Sequence, residues 1–120
     1  MEKVYYEKLI RDNVASRMQA RGVAFEVRPL GNLEFIEGLL NKVPEEAQGV
    51  VKAAGTSKAA LMDEIADLEL ALDKIKEMFN ITPEEFAVAK AENFAEKGGF
   101  DSRTHLMWSQ KEGYASNETS

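Results

Sequence analysis

An all-α fold, mainly helical and built as a bundle of about four helices with one short strand, is predicted by three features of the sequence. Apolar residues recur at helical spacing through four long segments. Gly22, Gly55 and Gly98-Gly99 punctuate those segments, as glycine does where helices stop. Only residues 23–29 alternate apolar and charged side chains in the manner of a strand. No repeat or low-complexity tract intervenes.

The first helix is expected from about residue 12, with Asp12 as its N-cap, to residue 21. The short strand follows through Phe25, Glu26, Val27 and Arg28. A second helix is expected from about residue 32 to 54, with Pro44 breaking or kinking it, because proline lacks an amide donor and crowds the preceding turn. Thr56-Ser57 opens a third helix, from about residue 58 to 79. In Thr82-Pro83-Glu84-Glu85 the threonine can cap the amide three residues on and the glutamate can reciprocate, so a fourth helix runs to about Lys97. Residues 100–108 read as extended chain. The polar stretch 109–120 reads as a mobile tail, which leaves a single domain over 1–108.

Composition narrows the function classes. With 120 residues, 44% of them apolar, one domain with a modest core is expected, and the absence of cysteine excludes disulfides and thiol catalysis. No apolar run approaches the ~18 residues of a membrane span, and no apolar signal segment follows the first residues, so a cytoplasmic location is expected, with no membrane partner. The net charge is −6, and residues 34–96 hold fourteen acidic groups against six basic ones. That field disfavours a nucleic-acid backbone and leaves metal cations as partners.

Two of those carboxylates stand on apolar faces. Projected at ~100° per residue, the third helix forms one stripe from Leu61, Leu68, Ala71, Leu72, Ile75, Met78 and Phe79, with Glu64 inside it and Asp67 at its edge. The second helix forms a stripe from Phe35, Ile36, Leu39, Val43, Ala47, Val50 and Ala53, with Glu46 inside it. Glu34 and Glu37 project to the polar side and are discounted. A carboxylate in an apolar seam needs a partner, either a basic side chain, water at the bundle edge, or a cation. Two antiparallel helices joined by the turn at Gly55 would bring Glu46 and Glu64 face to face, an arrangement suited to magnesium.

These residues, taken in order, resemble the all-α nucleoside triphosphate pyrophosphohydrolases, the MazG and phosphoribosyl-ATP pyrophosphohydrolase-like superfamily. The resemblance spans about residues 5–105. It is carried by Lys8-Leu9-Ile10-Arg11-Asp12, by Glu45-Glu46-Ala47-Gln48 against an EExxE helix, by Glu64-Ile65-Ala66-Asp67 against ExxD, and by Gly98-Gly99-Phe100 with Arg103.

The resemblance implies a magnesium-dependent hydrolase that attacks the α-phosphate of a nucleotide substrate with water and releases a nucleoside monophosphate and pyrophosphate. It implies Glu46, Glu64 and Asp67 as metal ligands, with Glu45 as a further ligand or the group that orients water. It also implies a homodimer or homotetramer whose helices complete bundles across subunits. Phosphates need cations, for which Lys8, Arg11, Lys97 and Arg103 are the candidates. The last glutamate of EExxE is Gly49 here, and Pro44 precedes Glu45. A catalytically degenerate nucleotide- or metal-binding module of the same fold is therefore the second reading.

Overall fold

The apolar stripes of the two central helical segments find each other in the computed structural model, which describes residues 2–114. The chain divides into two units, Met1–Asn80 and Ile81–Ser120, where a single domain over 1–108 was expected. Among the described residues there are four helices: α1 (Val14–Ala20), α2 (Asn32–Ala53), α3 (Lys58–Met78) and α4 (Pro83–Lys97). None is long and apolar enough to cross a membrane.

In the first unit α2 and α3 pack along their length, joined by a turn over 54–57. The turn closes through the Thr56 amide and hydroxyl, which both donate to the Ala53 carbonyl at 2.9 and 2.8 Å. The Ser57 hydroxyl then caps α3 by accepting from the Ala60 amide at 3.1 Å. Each stripe predicted from spacing lines the seam. Leu39 and Ala53 are buried, and Phe35, Ile36, Val43, Ala47 and Val50 of α2 are half-buried, as are Leu61, Leu68, Ala71, Ile75 and Met78 of α3. Leu72 and Phe79, assigned to the same stripe, lie exposed at its margin.

Pro44 does not break α2, which is continuous through it. Its ring faces the exposed side, where water can serve the carbonyl left without an amide partner. The helix also starts without a side-chain cap, at Gly31. The strand expected over 23–29 is absent: the described residues contain no strand at all, so an isolated alternating run has no ladder to join. That segment is held instead by Arg28, whose guanidinium meets the Glu34 carboxylate through both nitrogens, at 3.3 and 2.8 Å. Glu34 thus sits on the polar side, as its projection requires.

The N-terminal segment is drawn onto α2 by Leu9. A side chain at Gly38 would place its Cβ 3.2 Å from Leu9 Cβ, so the glycine lets the extended segment lie close against the helix. Leu9 and Ile10 are half-buried there, and Lys8 and Arg11 flank them. α1 begins at Val14 with Asn13 as its N-cap, one residue later than expected, and Asp12 makes no cap.

In the second unit α4 carries the predicted capping box: the Thr82 hydroxyl accepts from the Glu85 amide at 3.1 Å, and the Glu85 carboxylate accepts from the Thr82 amide at 3.0 Å. Its described residues are all exposed. The polar tail expected over 109–120 lies partly outside the described residues; within 109–114 the chain turns, with the Gly113 amide donating to the Gln110 carbonyl at 3.0 Å.

Candidate metal centre

Helical spacing alone would put Glu46 on the α3-facing side of α2, and Glu64 and Asp67 one turn apart on α3. Packing then brings the three together. One oxygen from each of Glu46, Glu64 and Asp67 lies within 4.8 Å of the others, and all three side chains are half-buried. Hard oxygen donors at this spacing are able to close on a single divalent cation, since magnesium accepts one to three carboxylates and fills the rest of its octahedron with water or phosphate oxygens.

The charges around the cluster are unevenly compensated. The Glu46 carboxyl is pushed above its ordinary value of 4.5, first by burial and then by the Asp67 carboxylate, with Glu45 and Glu64 adding to the effect. The Lys42 ammonium, 4.0 Å from Glu46, opposes this. Glu45 behaves in the opposite way. Its carboxylate accepts from Lys8 Nζ at 2.6 Å and faces Lys42 Nζ at 3.3 Å, and its pKa is lowered, chiefly by the Lys8 hydrogen bond. The two neighbouring carboxyls are therefore shifted in opposite directions.

Lys8 and Arg11, expected to meet phosphates, pair in this structure with the acids themselves. Arg11 Nη1 donates to Asp67 Oδ1 at 3.2 Å, the arginine exposed and the aspartate half-buried. Beside that pair opens a cleft of about 540 Å³, lined by Arg11, Asp12, Asn13, Val14, Arg17, Asp63 and Asp67. The cleft borders the carboxylate cluster through Asp67 and is lined by two guanidinium groups among three carboxylates, those of Asp12, Asp63 and Asp67.

Two residues of this region were not singled out from sequence. Lys42 lies one turn before Glu45 and Glu46, a spacing that marks a helical ion pair. Arg17 gave no sequence signal beyond its charge. Lys97 and Arg103 belong to the second unit, where Lys97 ends α4 and Arg103, at φ 56°, donates its amide to the Phe100 carbonyl at 3.0 Å. Both are exposed there.

Gly49, the departure from the EExxE pattern, lies under Glu64. The three atoms nearest a Cβ built at this position all belong to the Glu64 carboxyl group, with Cδ at 2.9 Å and Oε1 at 3.5 Å. No protein-family model, curated protein or solved structure matches this chain.

Proposed function

We propose that this chain is a magnesium-dependent nucleoside triphosphate pyrophosphohydrolase of the cytoplasm, releasing a nucleoside monophosphate and pyrophosphate, and acting as a homodimer or homotetramer. The observation that carries the reading is the convergence of Glu46, Glu64 and Asp67 from two helices on one point of a largely apolar seam. Like charge at this spacing favours a bound cation, and the Glu46 pKa is raised, first by burial and then by the Asp67 carboxylate, despite the opposing Lys42 ammonium. Bound there, magnesium would offset phosphate charge and ease deprotonation of the attacking water.

The chain's own residues divide the remaining work. Glu46, Glu64 and Asp67 hold the cation. Glu45, kept ionised by Lys8, accepts a hydrogen bond from water and orients it toward the α-phosphorus. Attack by the water oxygen forms one P–O bond as the bond to the pyrophosphate leaving group breaks, and the proton the water sheds passes to bulk solvent. Arg11 and Arg17, at the rim of the cleft, hold phosphate oxygens.

Self-association is supported by apolar side chains left exposed on each central helix. Leu33, Leu40 and Val51 of α2 fall within about 20° of one another at ~100° per residue, and the outer two are 80% and 69% exposed. Ile65, Leu72 and Phe79 recur every seven residues along α3 and its C-cap, all exposed. Such stripes are what a helix presents to a partner helix in a bundle.

The test is pyrophosphate release from a panel of canonical and modified nucleotides, with and without magnesium. Magnesium-dependent release that disappears in Glu64→Gln is expected. A flat result across the panel, with magnesium still raising the thermal midpoint, would favour the module that binds without turnover. That alternative drew on Gly49 as a vacated ligand position, and the Glu64 carboxylate lying over Gly49 weighs against it.

A further inference from the structure

A glycine in the middle of a helix is costly, because alanine in the same place loses less backbone freedom on folding and shields the helix better. Gly49 stands well inside α2, so something other than helix stability accounts for it. Close packing of the two helices is the usual reason, yet the three heavy atoms nearest its absent Cβ include no backbone atom and no apolar group. All of those neighbours are the carboxyl group of Glu64. Gly38, on the same helix, shows the contrast: its absent Cβ faces Leu9 and Leu30, an apolar approach that shapes packing rather than a polar group.

We infer that Gly49 is a positioning residue for the cation site: its missing side chain is the seat in which the Glu64 carboxylate rests against α2, within reach of Glu46 and Asp67. The inference rests on the reading of those three acids as cation ligands. Its physical basis is the length of a glutamate crossing from α3 toward α2. With a methyl group at position 49, Cδ of Glu64 would stand 2.9 Å from it, and one carboxylate oxygen would be closer still, so the carboxylate has to swing away. The tip of a flexible side chain moves at little cost to the fold, but the donor set loses its alignment. The site is thereby built for three carboxylates and a cation whose remaining ligands are water or phosphate oxygens. A glutamate at position 49 would likewise drive the Glu64 carboxylate from that seat rather than add a ligand to the three.

Mn2+ titration calorimetry and cation-free thermal unfolding of the full chain test this, with Gly49→Ala, Gly49→Glu and the exposed neighbour Gln48→Ala as variants. Gly49→Ala is expected to keep or raise the cation-free midpoint, as the better helix former, while its Mn2+ affinity falls about ten- to a hundredfold, the range seen when groups that orient metal ligands are lost. Gln48→Ala should bind as the wild type does, and Gly49→Glu should bind more weakly. Wild-type affinity in Gly49→Ala would overturn the inference, as would tighter binding by Gly49→Glu. A lowered cation-free midpoint accompanying the lost affinity in Gly49→Ala would overturn it too, because backbone disruption would then be the cause. A wild-type chain that binds no Mn2+ removes the ligand reading itself, whereas wild-type binding shared equally by Gly49→Ala removes only the role of Gly49.

Discussion

Removing Arg11 should change cation and nucleotide binding in opposite directions. Its guanidinium holds Asp67 through a 3.2 Å hydrogen bond to Oδ1, so a divalent cation competes with it for the charge of one of the three carboxylates. The pair lies at the surface with only Asp67 half-buried, at side-chain accessibilities of 56% and 33%, which places it near the surface ion pairs. Such pairs contribute about 0.2–1 kcal/mol, so freeing Asp67 in Arg11→Ala should tighten Mn2+ binding by roughly 1.4- to 5-fold. Loss of the positive charge beside the site acts in the same sense. A nucleotide, by contrast, loses a charge-assisted hydrogen bond to phosphate, worth about 1.5–3 kcal/mol, or roughly ten- to a hundredfold in affinity. Calorimetry with Mn2+ alone, then with a non-hydrolysable triphosphate in the presence of Mn2+, separates the two terms. If both affinities fall together, or if neither moves, Arg11 does not stand between the cation and the phosphate.

The stability given by magnesium should weaken in mild acid. The Glu46 carboxyl is raised above 4.5 in the fold, so the cation-free protein gains stability as pH falls through that raised value, and the gain is complete below about 4.5. Glu45 has the reverse sign: its lowered pKa gives a contribution present above about 4.5 and lost as pH falls through the folded value. Protons and magnesium compete for Glu46, so the magnesium-induced rise in thermal midpoint should shrink between pH 7 and 5; a rise independent of pH would contradict the assignment. A charge placed on the exposed α3 stripe, as in Leu72→Lys, should yield a smaller species than wild type by light scattering, and an unchanged mass would remove this stripe from the subunit contact.

How much of this was legible in sequence depends on whether a signal is local. The α3 and α4 starts were readable because Ser57, Thr82 and Glu85 act within one turn of their own helix. Projection also found Glu46, Glu64 and Asp67, since helical periodicity alone decides which face a residue takes. It overreached with Leu72 and Phe79, because a stripe drawn on one helix does not show how much of it a single neighbour covers. Pro44 misled for a related reason: the disruption a proline causes depends on whether its side of the helix meets water or the seam. The role of Gly49 lay beyond reach, for it is set by a side chain from another helix fifteen positions on. Lys8 and Arg11 were found as cations, but their partners Glu45 and Asp67 follow only from the docking of Leu9 against Gly38.

The proposed chemistry requires three carboxylates of α2 and α3 to share one cation. Calorimetric titration of magnesium into the full chain, and into Glu46→Gln, Glu64→Gln and Asp67→Asn, tests it most directly. One class of site in the wild type, severely weakened by each substitution alone, is the predicted result. Undiminished binding in any two of the three variants, or none in the wild type, would contradict it.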